Sequence, residues 1–407
     1  MIVRCLGGLG LLVLTCVAGA AADAPKTAVA TCKGTLSFPS YGGIVQQNPN
    51  PGCVTLPGIG DVYVGGVFTG YAYVGSNPFP RSTTSLPSDQ AGRADFSNLQ
   101  AFVQKADGPF QAYLQAGLYS VPTLGTPIYR TIDQTRLLFG PVPVVYGKYV
   151  FDDAWSIQGG RLPTLIGAET TFTFQNLNIT RGLLFGQENA ITQGVQVNYA
   201  KGPWTVSAAG TDGFFSGQID WLTGLVSYKL DDSQTLTFDA GSNLGRSSMS
   251  TYATPLLQNN SSIFNLIYSY THGPWVVTPY LQYTDVERDQ SLGIAESAST
   301  YGAAVLAGYT FSKQFALAGR VEYEQQTGTR GSGTTSLLYG PGSSAASFTV
   351  TPTFTFDRFV LRGEYSHVDL SGITKGVGVG GLTGSGFGRR GDKSTQDRVM
   401  VEGGITF

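Results

Sequence analysis

Charge, methionine and histidine are scarce in this sequence, and so are long hydrophobic runs. Only 13% of the residues are charged, about half of the roughly 25% that is usual for soluble domains. Beyond the first 22 residues, no apolar run approaches the length of a membrane helix. Yet 12% of the residues are aromatic and 55 are glycines. This combination is typical of a β protein whose apolar side chains are spread over many strands.

The first 22 residues, MIVRCLGGLGLLVLTCVAGAAA, predict a secretory signal peptide. Arg4 precedes an apolar stretch at 6–17, and a small-residue cleavage site of the form Ala20-x-Ala22 follows. A membrane anchor is the alternative, but the apolar stretch is short for one. A lipoprotein signal ending at Cys16 is a second alternative and is disfavoured.

After cleavage, two cysteines and a near-neutral charge remain. Cys32 and Cys53 lie in a stretch rich in Gly, Pro and Asn, and in an oxidising compartment they predict a disulfide. Two free thiols are the alternative. Two cysteines alone do not make a zinc set, and we predict no metal or other cofactor. Removing Arg4 leaves 24 basic residues against 27 acidic ones, a balance that predicts no nucleic-acid partner.

Segments of alternating apolar and polar residues recur from Asp61 to Phe407. In the last of them, RVMVEGGITF, one face carries Val399, Val401, Ile405 and Phe407, while the other face is charged or polar. A period of two predicts strands that separate two different environments. We count about sixteen such segments, with 14–18 as the range, because strand edges read from sequence are uncertain.

The links between these segments alternate in length. Short links lie near 106–109, 152–154, 201–203, 231–233, 272–274, 312–314 and 357–358, and long ones at 76–98, 122–142, 164–190, 244–262, 287–299, 327–345 and 371–397. One link, near 213–219, is of modest length. Short turns at one rim and long loops at the other predict an all-β fold, a closed antiparallel transmembrane β-barrel of about 16 strands. The predicted organisation is therefore a signal peptide (1–22), an N-terminal periplasmic segment (23–60) and the barrel (61–407).

Aromatic residues follow the short links. Trp155, Trp204 and Trp275 come directly after them, whereas Trp221 lies at the opposite end of its strand. Because tryptophan and phenylalanine favour the lipid–water interface, we predict an aromatic girdle of these four residues and Phe407, with Trp221 on the outer rim. Ordinary core aromatics are the alternative. A terminal aromatic residue is typical of outer-membrane proteins, in which the assembly machinery reads the last strand.

A barrel of this width leaves an aqueous lumen unless something narrows it. The third long link, residues 164–190, is unusually apolar for an exposed loop, and it carries Glu169, Arg181 and Glu188. We predict that it folds into the lumen and that these three residues form a pore constriction. The N-terminal segment 23–60 is a second candidate, for which we prefer a periplasmic appendage over a plug.

Further charged residues are predicted to face the lumen: Arg320, Glu322, Glu324, Arg362, Glu364, Arg398 and Glu402. Both signs interleave, so we predict no strong selectivity for cations or anions. For most of these residues, the simplest interpretation is a wall position kept soluble by water and by the neighbouring charges.

The run GAETTFTFQNLNITRGLLFGQENAITQGVQVNYAKGPW resembles the central block of the OmpL-like β-barrel porin family. The matching residues are Gly167, Glu169, Asn178, Arg181, Gly194 and Val195. Thr180 and Gly182 replace the serines that usually flank the arginine, and Gln193 interrupts the following Thr-Gly pair. The resemblance implies an outer-membrane channel and names no substrate. Two roles are equally open for Arg181: a structural tie that pairs with Glu169 or Glu188, or a contact with the solute.

Together these patterns predict a porin in the bacterial outer membrane, through which small hydrophilic solutes diffuse passively. The expected partners are outer-membrane lipid, these solutes, the assembly machinery and, by analogy with other wide barrels, two further copies in a homotrimer. A structural or adhesive barrel with a blocked lumen is the first alternative, and a barrel hydrolase is a remote one. No catalytic residue is assigned, because Ser366 and His367 are adjacent on a strand and would point to opposite faces.

Overall fold

The computed structural model describes residues 38–79, 89–329, 333–374 and 384–407. The predicted signal peptide and Cys32 lie outside these ranges. Cleavage before residue 23 and the Cys32–Cys53 disulfide therefore stay predictions.

Seventeen strands, two short α-helices and three single-turn 3-10 helices make up the described secondary structure. The strands are β1 (Gly52–Leu56), β2 (Gly60–Gly75), β3 (Gly92–Lys105), β4 (Phe110–Tyr119), β5 (Val144–Val150), β6 (Trp155–Pro163), β7 (Ile191–Lys201), β8 (Trp204–Thr211), β9 (Trp221–Lys229), β10 (Gln234–Asn243), β11 (Ser261–His272), β12 (Trp275–Val286), β13 (Ala298–Thr310), β14 (Phe315–Gln326), β15 (Ser344–Phe356), β16 (Phe359–Ser371) and β17 (Thr395–Thr406). The α-helices are α1 (Thr131–Leu137) and α2 (Leu256–Asn259), both in links between strands. Neither they nor any other helix of the described ranges is long and apolar enough to cross a membrane.

Strands β2 to β17 form a closed antiparallel barrel, which confirms the predicted count of sixteen. Consecutive strands pair along the chain, and β17 returns to pair with β2, from Arg398 opposite Gly75 to Thr406 opposite Val67. Phe407 extends this seam, since its N–H donates to the Gly66 carbonyl at 2.9 Å. Strand β1 is an additional short strand that pairs with the first residues of β2.

The links alternate as the sequence predicts. Seven links of two to four residues join strand pairs at one end, as at 106–109 between β3 and β4 and 273–274 between β11 and β12. The links at the other end are longer, from 212–220 after β8 to the 164–190 segment after β6. In the short link 151–154, the Asp152 carboxylate accepts hydrogen bonds from the N–H groups of Ala154 and Trp155, which holds the pKa of that carboxyl below its usual range.

The two faces of each strand have different surroundings. Along β17, Val399 and Val401 are 50% and 48% exposed on the outside, whereas Arg398 and Glu402 are buried on the inside. A wall of exposed apolar side chains suits hydrocarbon, and polar side chains occupy the interior. The barrel therefore encloses an interior in which buried polar and charged side chains lie beside clusters of apolar ones.

Aromatic pairs surround the short-link rim. Trp155, Trp204 and Trp275 are each about half exposed on the outer face. Each lies against a tyrosine of the neighbouring strand, with ring centroids 4.8, 4.6 and 4.6 Å apart respectively. Phe407 is 42% exposed at the same rim. These positions allow each ring to contact lipid on one side and water on the other.

The prediction for Trp221 is wrong. It does begin β9 at the long-link end, but its side chain faces the interior and is 2% exposed. Its indole N–H donates to the Asn259 carbonyl at 2.9 Å, and its ring packs on Phe214 at 5.4 Å between centroids. Strand parity decides this orientation, because residues 221, 223, 225 and 227 share the inner face.

Candidate pore and its inner loop

Residues 164–190, here called the third loop, leave the wall after β6 and return to it at β7. The loop is closed at its neck, where the Thr164 N–H donates to the Ala190 carbonyl at 3.1 Å. The Thr164 hydroxyl also donates to the Asn189 side-chain oxygen at 2.7 Å. Between these ends, the apolar side chains of the loop are buried: Phe172, Phe174, Ile179, Leu183, Leu184 and Phe185. Their neighbours include inward-facing wall residues, so the loop fills part of the barrel interior.

Arg320 of β14 forms the first ionic tie between wall and loop. Its guanidinium lies 2.7 Å from Glu169 of the loop and 3.1 Å from Glu322 of its own strand. It also donates to the Thr180 carbonyl at 2.7 Å. All the side chains of this ion-pair group are fully buried. Such a group is stable only when every charge has partners, so the Glu169 side of the loop is held firmly against β14.

Arg362 of β16 forms the second tie. It donates to the carbonyls of Asn176 and Thr173 in the loop at 3.1 and 2.9 Å, and it pairs with Glu402 of β17 through its Nε at 3.0 Å. The Thr173 hydroxyl donates to the same carboxylate at 2.5 Å. One arginine thereby joins the third loop to two wall strands.

Glu364 of β16 provides a third tie by accepting main-chain hydrogen bonds. Its carboxylate accepts from the N–H of Ile179 at 2.5 Å and from the N–H and hydroxyl of Thr180 at 3.1 and 2.6 Å. A carboxylate that accepts several hydrogen bonds can remain buried without a cation beside it. The bend at Ile179 and Thr180 is therefore fixed to the wall.

Arg181 organises the loop itself. Its side chain is fully buried and donates to main-chain carbonyls of the loop, including that of Thr171 at 3.0 Å. Its own main chain pairs with the link after β4, where Leu124 N–H donates to the Arg181 carbonyl at 2.9 Å. Within the described ranges no ion pair joins Arg181 to Glu169 or Glu188, so that part of the expectation is wrong: Glu169 pairs with Arg320 instead. Buried among these loop carbonyls, Arg181 acts as a structural tie within the loop.

Glu188 lies near another carboxylate, that of Asp239 on β10. It accepts one hydrogen bond, from the Gln282 amide at 2.8 Å. Asp239 accepts from the Asn265 amide at 2.9 Å and from Gly167 N–H at 3.3 Å. Among the described residues, neither carboxylate has a cationic side chain within 4 Å. This side of the interior, formed by β10 to β12, therefore holds two carboxyl groups without a cationic partner in the described ranges, whereas the wall from β14 to β17 carries the arginines.

All seven charged residues predicted to face the lumen lie on the inner face, and each is at most 5% exposed. Neighbouring charges do pair, as Arg320 does with Glu322 and Arg362 with Glu402, but the part of the expectation that gave water as the other partner is wrong, because these side chains are buried. Loop groups cover them instead, as the three ties of Arg320, Arg362 and Glu364 show, and Arg398 donates to the carbonyls of Thr123 and Thr126 in the link after β4. Protein groups replace water as the partners of these charges.

Two cavities lie beside the third loop. The outer one has a volume of about 290 Å³ and is lined by residues of the long links, including Gln134, Phe214 and Tyr252, together with Glu188. The inner one has a volume of about 190 Å³ and is lined by wall residues such as Val144 and Leu225, by Glu169, and by Phe38 and Ser40 from the N-terminal segment. Ala190 and Ile191 line both cavities. The two spaces are therefore neighbours, separated by the return of the loop into β7.

The N-terminal segment, residues 38–51, also reaches the interior. The Gln104 amide on the inner face of β3 donates to the Phe38 carbonyl, and the Thr406 hydroxyl on β17 donates to the Gln46 carbonyl at 3.0 Å. This placement differs from the preferred prediction of a periplasmic appendage. Val45 is buried and Phe38 is half-buried, which favours this placement, since an appendage of this length could not cover them.

A family model matches residues 61–407 of the chain, and its description is putative β-barrel porin-2, OmpL-like. The match begins one residue after the start of β2 and covers the whole barrel. This chain belongs to that family. It is accordingly an outer-membrane barrel of the porin type, located in the bacterial outer membrane.

Solved outer-membrane barrels share this fold at low sequence identity. The outer membrane channel DcaP of Acinetobacter baumannii gives a TM-score of 0.54 at 11% identity, over 85% of this chain and 97% of that one. The anion-selective porin from Comamonas acidovorans gives 0.53 at 14%, over 85% and 99%. OmpT of Vibrio cholerae, folded in vitro and in its trimer form, gives 0.52 at 11%, over 85% and 99%. No curated protein matches the sequence.

Sequence reasoning missed several residues of this interior. Charged side chains of the wall form hydrogen bonds with hydroxyl and carbonyl groups of three loop residues, Thr173, Asn176 and Thr180. No pattern in the sequence distinguishes these three from other loop residues. Asp239 and Gln282 were missed as well. Their signal was available, because both are polar residues on the inner parity of their strands.

Proposed function

We propose that the barrel is a passive channel for small hydrophilic solutes. Sixteen strands enclose a space that wall side chains alone do not fill. The observation that carries the proposal is the pair of cavities on either side of Ala190 and Ile191, inside this barrel. A solute would pass from the outer cavity to the inner one along the edge of the third loop. In this role the loop forms the constriction, with Glu188 the charged loop residue beside the outer cavity.

Planar-bilayer recording on the purified, folded protein tests this function. We expect discrete conductance steps in potassium chloride and permeation of small sugars in liposome-swelling assays. Heat-modifiable migration on gels provides an independent check that the barrel is folded. A folded barrel that never conducts would exclude the channel and favour the structural or adhesive alternative.

Ionic selectivity is a finer proposal, which replaces the expectation of no strong preference. Arg320 and Arg362 are occupied by carboxylates, whereas Glu188 and Asp239 have no cationic partner within 4 Å in the described ranges. We propose that these two carboxyl groups ionise when the path holds water, and negative charge beside the path then favours cations. In a gradient of potassium chloride, we therefore expect the reversal potential to be shifted from zero toward the equilibrium potential of potassium. We expect the Glu188→Gln substitution to move the reversal potential back toward zero.

The control for this measurement is Glu287→Gln. Glu287 is an exposed residue in the long link after β12. Its substitution by glutamine removes a carboxylate that lies outside the barrel. Its reversal potential should stay close to that of the parent protein, because salt screens exposed charges over about 10 Å at 0.1 M. Equal shifts in both variants would assign the selectivity to the net charge of the protein.

An enzymatic role has weak support, and we propose that the protein is not an enzyme. Ser366 is buried on the inner face of β16, whereas His367 lies on the outer face against Phe348. His367 pairs with Asp397 at 2.8 Å on that outer face, at the end of the barrel away from the short links. His272 is the last residue of β11, beside a short link, and its ring Nδ1 lies 3.1 Å from the Ser233 hydroxyl. The proposed partners remain lipid, the assembly machinery acting on the last strand, and two further copies in a trimer.

A further inference from the structure

The N-terminal segment 38–51 packs on the inner wall at the same end of the barrel as the short links. Phe38 stacks edge-on against Tyr113 with centroids 4.7 Å apart, and it approaches Tyr146 at 6.5 Å. Tyr113 and Tyr146 are inward-facing residues of β4 and β5. On the other side, the Thr406 hydroxyl near the end of β17 holds the Gln46 carbonyl. The segment therefore crosses part of the barrel mouth, from the β4–β5 side to the β17 side.

The same segment contacts the third loop. The Gly42 N–H donates to the Phe174 carbonyl at 3.0 Å, and the Tyr41 and Phe174 rings lie 5.3 Å apart. A Cβ atom on Gly42 would lie 2.3–2.7 Å from main-chain atoms of Asn176. Only glycine fits at this position, because the main-chain atoms of a tied loop cannot move aside.

Phe38 and Ser40 line the inner cavity, so the segment forms its boundary toward the short-link end. Its attachment differs from that of the third loop. The loop is held by buried ion pairs, whereas residues 38–47 contact the barrel wall and the third loop through neutral hydrogen bonds and ring contacts. Neutral hydrogen bonds contribute less than charge-assisted ones. Segments with few such contacts are the ones that open locally.

We propose that residues 38–47 are an intramolecular plug that closes the inner cavity toward the periplasm and leaves its place when the channel opens. This inference rests on the proposed channel function. The third loop then sets the fixed width of the path, and the plug determines how often the path is open. Wild-type protein would show closed intervals for as long as the plug keeps its contacts with Phe174 and Asn176 of the third loop.

Gly42→Leu tests the plug, because the added side chain cannot enter the space beside Asn176. We expect a several-fold rise in open probability in planar bilayers, with the conductance of the open level unchanged. Asn50→Leu is the matched control, since it adds the same side chain at an exposed position of the same segment. That control should behave like the parent protein. Replacing residues 38–42 with glycine and serine at constant length gives a second route to the same result.

The outcomes separate the two proposals. A parent protein that conducts, with unchanged gating in both Gly42→Leu and the glycine–serine variant, overturns the plug and leaves the channel intact. A silent parent protein with conducting variants supports both. Silence of every folded variant overturns the channel function, and the plug with it.

Discussion

Deleting residues 170–186 of the third loop should raise single-channel conductance several-fold. These residues fill the space between the ties to β14, β16 and β17 and the inner cavity. Their removal leaves a barrel of sixteen strands whose interior would admit water. In the deletion variant, water would reach the guanidinium groups of Arg320 and Arg362 and hydrate them. The loss of their loop partners therefore need not prevent folding. Planar-bilayer recording compares the two conductances directly.

The control for this deletion removes residues 248–251, which are exposed in the long link after β10. That link lies at the same end of the barrel, so its shortening tests for general effects of loop loss. We expect parental conductance from it. Parental conductance from the 170–186 deletion as well, in a barrel that migrates as folded, would show that the third loop does not limit the path.

Arg320→Met should lower the stability of the folded barrel by about 3–5 kcal/mol, the usual cost of removing one partner from a buried ion pair. The substitution leaves Glu169 and Glu322 buried together without the cation between them. It also removes the donor to the Thr180 carbonyl. Guanidinium unfolding in detergent micelles, followed by tryptophan fluorescence, measures the change.

Arg246→Met is the matched control for this substitution. Arg246 also pairs with a carboxylate, Asp289, at 3.0 Å, but its side chain is 72% exposed. Exposed pairs of this kind contribute about 0–1 kcal/mol. If the two variants lost the same stability, the buried network around Arg320 would have no special role in holding the third loop.

The strand pattern, the link lengths and the closing pair of strands were predictable from sequence, because each rests on local chemistry. Period-two alternation in β17 separates Val399 and Val401 from Arg398 and Glu402, and no tertiary information is needed to see it. Trp221 shows the limit of this reasoning. The sequence correctly places Trp221 at the long-link end of its strand. The alternation of inner and outer residues along β9, however, puts its ring inside the barrel and not in the outer aromatic girdle.

The interior was only partly predictable, for a physical reason. Glu169 and Arg320 are both marked by their charge, but their pairing joins residues 151 positions apart and depends on how the third loop bends. The carbonyl partners of Arg181 are invisible in a sequence, because every residue has a carbonyl. The N-terminal segment was ambiguous for a similar reason, since Gly42 identifies a close contact only when Asn176 is known to be its neighbour.

The third loop is synthesised before the strands that hold it. It lies between β6 and β7, whereas its charged partners belong to β14, β16 and β17, and Thr173 is 229 positions from Glu402. Contacts so distant in the chain form late. The polar groups of the loop must therefore stay hydrated while the sheet grows. They lose this hydration when the final strands pair with β2. Drying of the interior and completion of the ring are therefore one step of assembly.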